Sequence, residues 1–233
     1  MKKYFLEIII FISGAVVMIL EIVGSRILAP YVGSSIVVWT SLIGIILASL
    51  SLGYWWGGKI ADRKPSYKVL GTILLMGGVL VGLVSFVNPS ILLFIQASFV
   101  DIRSGAIIAT LILFAPPGVL LGMVLPFAVR LRLKSLKTSG KTAGNLFAIS
   151  TIGSIVGTFA TGFFLVAFLG STRILTLLSV LLLFCSFLAF IDELSAVKPS
   201  LIFLLVTTSF AIGAGRYPVR PGVLVDKDTA YNR

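Results

Sequence analysis

The chain has 233 residues, of which 58% are hydrophobic and 12% charged, with a mean hydropathy of +1.12. That composition leaves too little polar surface to cover a water-soluble globule of this size, so it excludes one and points to a multi-pass membrane protein. The net charge of +11 would suggest nucleic acid in a soluble chain, but the cations here collect in short loops between apolar runs, which excludes that partner.

In chain order, the first stretch imitates a signal peptide, with Lys2 and Lys3 ahead of an apolar run. The run continues to Leu28, long enough for a hydrocarbon core of ~30 Å, and predicts an uncleaved first helix over 5–28. Further spans are predicted at 37–58, 69–87, 104–127, 143–168, 171–191 and 199–215. Asn88-Pro89 is expected to end the third, leaving 90–103 interfacial or re-entrant. Pro116-Pro117-Gly118 is expected to break or kink the fourth, because two ring nitrogens cannot donate to the helical ladder. The expected fold is all-α: a polytopic bundle of six or seven helices over 1–216, followed by a tail at 217–233.

Orientation follows from the loop cations. Lys2, Lys3, Lys59, Arg63, Lys64, Lys68, Arg130, Arg132, Lys134, Lys137, Lys141 and Lys198 fall on one side, against Arg26, Arg103 and Arg173 on the other before the tail. The N-terminus is therefore expected in the cytoplasm and the protein in the cell membrane. Seven spans would place the tail outside; six would keep it inside.

Small residues mark where helices approach. Ser49, Gly53 and Gly57 recur every four positions on the second helix, and Gly118 and Gly122 do so on the fourth. Ser150, Ser154, Thr158 and Gly162 recur likewise on the fifth, beside Gly153 and Gly157. Such stripes are chiefly packing faces within one chain, with a homodimer seam as the alternative.

Absences limit the chemistry. With no histidine, a Ser-His-Asp triad and any imidazole metal site are excluded, and the lone Cys185 offers no disulfide or thiolate cluster. No catalytic residue, metal ligand or cofactor site is read in this chain.

Two groups of residues remain. Glu21 and Arg26 lie towards the end of the first helix, beside Tyr31 and across from Trp39 at the start of the second. A carboxylate at this depth binds a cation or relays protons in the functional reading, and pairs with Arg26 or caps a neighbouring helix in the structural one. Glu7, near the membrane face, is expected to snorkel to the surface. The second group is the loop Gly58 to Lys64, in which Asp62 can accept from Arg63 or from a helix N-terminus.

Gly58, Asp62 and Arg63, placed between the second and third helices, resemble the cytoplasmic signature loop of the major facilitator superfamily, which implies half of a major-facilitator fold. A wider set covers most of the chain: Glu21, Ser25-Arg26-Ile27-Leu28-Ala29-Pro30, Gly33, Trp39, Gly53-Tyr54, Gly58, Ala61-Asp62-Arg63, Pro116-Pro117, Gly122, Pro126, Gly144-Asn145 and Gly153. This set resembles the membrane domain of spermidine synthase-like proteins, fused major-facilitator/spermidine synthase chains. The resemblance implies a membrane module that anchors or serves a polyamine aminopropyltransferase domain or subunit, with Glu21, Arg26, Tyr31, Trp39 and Asn145 as substrate-binding candidates. In the tail, Thr229, Tyr231 and Asn232 are similar to the strand that opens such a domain, whose catalytic part lies outside this sequence. The alternative is half of a facilitator-type transporter for polyamines, working as a dimer.

Overall fold

A computed structural model describes residues 2–99, 101–133, 135 and 138–190. Six helices make it up: α1 (Lys2–Val32), α2 (Ile36–Arg63), α3 (Tyr67–Ser98), α4 (Ile102–Arg132), α5 (Ser139–Phe168) and α6 (Ser171–Phe190). No strand occurs among the described residues, and all six helices are long and apolar enough to cross a bilayer. The protein is an all-α bundle and a multi-pass membrane protein. The predicted seventh span and the tail at 217–233 lie outside the described residues.

The helices run further than the apolar runs alone predict, because charged and polar ends continue the ladder beyond the hydrocarbon region. The largest difference is α3, which passes through Pro89 to Ser98 where an end was expected at Asn88-Pro89. Proline at 89 removes the N–H that would bond the carbonyl of Ser85, four residues back. Asn88 replaces it: its Nδ2 donates to Ser85 O at 3.1 Å and to Val84 O at 2.9 Å. The segment 90–98 is therefore helix, not a re-entrant loop. The fourth helix likewise continues across Pro116, Pro117 and Pro126 without a break. Within α5 a π-turn at Thr161–Leu165 interrupts the α-ladder, and Thr161 Oγ1 donates to Gly157 O at 2.7 Å.

The connections are short. Gly33 takes φ +80° between α1 and α2, a conformation that glycine enters freely. Asp101 caps α4, its two carboxylate oxygens each accepting a backbone N–H at 3.3 Å, from Arg103 and from Ser104.

The most extensive pairings are α2 with α4, α3 with α6 and α1 with α5. Contacts between α1 and α4 join two of these pairs, giving a front layer in the order α2, α4, α1, α5. Behind it sit α3 against α4 and α6 against α1. Exchanging α1, α2, α3 for α4, α5, α6 returns the same set of pairings, except that the small α1–α3 contact has no counterpart of that size. Each half has three membrane-length helices, so an odd number of crossings turns one half upside down relative to the other. The bundle is thus an inverted repeat in its packing, the arrangement common in membrane carriers.

The small-residue stripes are where the layers close. A Cβ on Gly122 would come within 2.7 Å of Leu50 O, and one on Gly57 within 2.7 Å of Met123 Cα, so α2 and α4 touch backbone to backbone. Gly153 and Gly157 of α5 meet the backbone of Phe11 and Ala15 on α1 in the same way. Gly162 packs against nothing within 4 Å and does not extend that face. Between α3 and α6 serines add hydrogen bonds: Ser179 Oγ donates to Gly78 O at 2.7 Å and Ser186 Oγ to Gly71 O at 2.8 Å. In a membrane such bonds contribute about 0.6 kcal/mol each, so close packing of the helices stabilises the bundle more than they do.

Candidate functional site

The chain runs up and down through the bundle, which fixes which polar groups share an end. One end gathers the start of α1, the α2–α3 loop, the end of α4 and the start of α5. The other gathers the α1–α2 and α3–α4 turns and the start of α6. Lys59, Arg63, Lys64, Lys68, Arg130, Arg132 and Lys141 belong to the first end, together with Lys2 and Lys3 at the start of α1, and Arg26, Arg103 and Arg173 to the second.

At the first end Asp62 finds a partner that the sequence did not suggest. Arg130 on α4 forms an ion pair with Asp62, Nε to Oδ1 at 3.2 Å, rather than Arg63 or a helix N-terminus holding that carboxylate. Gly58 one turn earlier is half-buried and open around its α-carbon, and Arg63 is exposed. Glu7 is half-buried and accepts from Arg132 Nη2 at 3.2 Å. Lys59 lies 3.6 Å above the Trp55 ring, beside Trp56, an aromatic and cationic group suited to a membrane interface.

The substrate-binding candidates divide between the ends. Tyr31, buried, lines a small cavity with Gln96, Phe99 and Asp101, and Trp39 is exposed near the same end. Asn145 lies at the opposite end, exposed on α5 beside Glu7, Arg132 and Lys141. The bundle therefore does not bring Asn145 together with Tyr31 and Trp39, because α5 starts where α1 starts. Membership of one motif carries no information on which end each residue occupies.

Glu21 and Arg26 are both half-buried on α1, and a spacing of five residues turns them about 140° apart. Among the described residues Glu21 makes no hydrogen bond or ion pair. Its position on the helix is informative. Gly14 and Val17, seven and four residues earlier on the same face, line a cleft in the front layer together with Tyr54 of α2, Leu121 of α4 and Ser154 of α5. Glu21 stands on that face about 6 Å further along the axis from Val17.

The cleft encloses about 150 Å³ and carries the hydroxyls of Ser13, Tyr54, Ser150 and Ser154. Ser154 Oγ bonds Gly14 O and Ser150 O at 3.1 Å. Ser13, a residue of the cleft wall, has a buried Oγ with no partner. Hydroxyl groups with a carboxylate further along suit a small molecule carrying N–H donors. No group of three or more potential metal ligands occurs among the described residues.

No protein-family model, curated protein or solved structure matches the chain.

Proposed function

We propose that the chain is the integral membrane module of a spermidine synthase-like protein, set in the cell membrane with its N-terminus in the cytoplasm. It anchors or serves an aminopropyltransferase domain on the cation-rich side. The observation that carries this reading is the Asp62–Arg130 pair, which ties the Gly58–Arg63 loop to α4 at the cation-rich end. The resembling loop is thereby a built surface on the side that the positive-inside rule assigns to the cytoplasm, where polyamine substrates are available. Reporters placed in the Lys64–Pro65 turn and after Tyr217 test it. Both are expected to report the cytoplasm; a reporter after Tyr217 on the outer side leaves a cytosolic synthase domain nowhere to sit and rejects the reading.

A second reading has its own support. The inverted packing of the two three-helix halves, and Glu21 on the face of a hydroxyl-lined cleft, suit half of a facilitator-type passage for a small organic cation of the polyamine class. A second copy of the chain completes that passage. Desolvating an ammonium requires a carboxylate or several carbonyl partners, and Glu21 is an acidic group on that face that no described cation pairs with. The two readings are compatible: a module that admits polyamines would feed the enzyme it carries.

A further inference from the structure

A second cavity, away from Glu21, lies at the cation-rich end. It encloses about 410 Å³ between Glu7 on α1, Arg132 at the end of α4, and Lys141, Thr142 and Asn145 in the first turns of α5. Neither reading above uses it. Its chemistry is one-sided. Arg132 and Lys141 bring two positive charges against the single carboxylate of Glu7, leaving a surplus of one. Arg132 gives only one of its terminal nitrogens to Glu7: Nη2 donates to Oε1 at 3.2 Å, while Nη1 is buried with no partner. A buried guanidinium nitrogen without an acceptor is expensive, and the nearby side chains Lys141, Thr142 and Asn145 supply further donors. The start of α5 adds more. Its N-cap, Thr138, makes no side-chain cap bond, which leaves the positive end of the helix without that acceptor.

We propose that this cavity binds a phosphate group, presented either by a free phosphate ion or by the headgroup of an anionic phospholipid. Phosphate matches the site because it brings more than one negative charge and several acceptor oxygens to a place with surplus donors and a net positive charge. A polyamine is excluded by Arg132 and Lys141, which repel it, and by Glu7, which is already occupied. The location at a membrane face rich in cations puts the site at the depth of lipid phosphates.

The test uses the full chain purified in uncharged, phosphate-free detergent. One arm titrates radiolabelled inorganic phosphate; the other titrates phosphatidic acid and reads retained lipid by native mass spectrometry. Saturable binding is expected in at least one arm, and the arm that binds identifies the source. Lys141 is exposed, so Lys141→Gln spares the fold; it is expected to weaken binding about tenfold, the loss of one charge-assisted hydrogen bond. Glu7→Gln removes the competing carboxylate from Arg132 and is expected to tighten binding. The proposal is overturned if neither probe binds above background, if Lys141→Gln binds as wild type does, or if Glu7→Gln fails to tighten binding. None of these results depends on Glu21, so the polyamine passage stands or falls separately.

Discussion

Substituting Gly157 by alanine probes the helix packing at its tightest seam. The added Cβ would lie 2.6 Å from Ala15 O and 2.8 Å from Ala15 Cα, both backbone atoms of α1 that no rotamer change can move. Reaching ordinary contact at 3.4 Å requires α1 and α5 to separate by about 0.8 Å, which also stretches the bonds from Ser154 to Gly14 and loosens the neighbouring approach of Gly153 to Phe11. Overpacking of this kind costs about 1–3 kcal/mol, while alanine regains up to about 1 kcal/mol of helix propensity over glycine. The net expectation is a loss of about 1–2 kcal/mol. Gly44→Ala is the control, because a Cβ there meets nothing within 4 Å and only the propensity gain remains. Reversible unfolding in mixed micelles, followed by circular dichroism over a denaturing-detergent titration, compares the two. If Gly157→Ala proves no less stable than Gly44→Ala, the seam is not closed as described.

Three further changes probe other parts. Asn88→Ala should cost about 1–3 kcal/mol by stripping the donor from Ser85 O, and the loss should shrink in the Asn88→Ala/Pro89→Ala double variant, where the residue 89 amide takes that place; additive losses in the same titration would refute the repair. Asp62→Asn should shift stability by no more than about 1 kcal/mol, since Asp62 is 76% exposed in its pair with Arg130, and a loss above about 3 kcal/mol would mean the pair is shielded. Glu21→Gln should abolish saturable spermidine uptake into proteoliposomes while leaving expression and unfolding unchanged; retained uptake would remove Glu21 as the charged ligand.

Much of this fold can be read from the sequence because lipid imposes its own length rule on apolar segments. All of the first six predicted spans fall inside the observed helices to within a residue, and the small-residue stripes on α2 and α4 face one another as packing surfaces must. The third helix is longer than its sequence suggests because Asn88-Pro89 is a strong breaker pattern, and its repair by a side-chain amide is visible only once the helix exists. The site is less legible. Glu21 stands out in any reading, since a carboxylate within an apolar run is rare. Arg132 looks like one more loop cation, and its pairing with Glu7, 125 positions away, needs the tertiary arrangement of α1 against α4. Asn145 can be tied to a motif, but which end of the bundle holds it depends on the direction of α5. Glu7 does carry a usable signal: an acid only a turn inside the membrane face, with basic residues ending another helix on the same side.

Everything above rests on the described helices threading the bilayer so that their two sets of turns lie on opposite faces. Cysteines introduced singly at Ser34, Arg103, Lys64 and Gly140, in a background where buried Cys185 is replaced by alanine, can be labelled in intact cells with a membrane-impermeant maleimide. Ser34→Cys and Arg103→Cys are expected to react from outside, whereas Lys64→Cys and Gly140→Cys react only after permeabilisation. Labelling of all four from the same face would be incompatible with this arrangement.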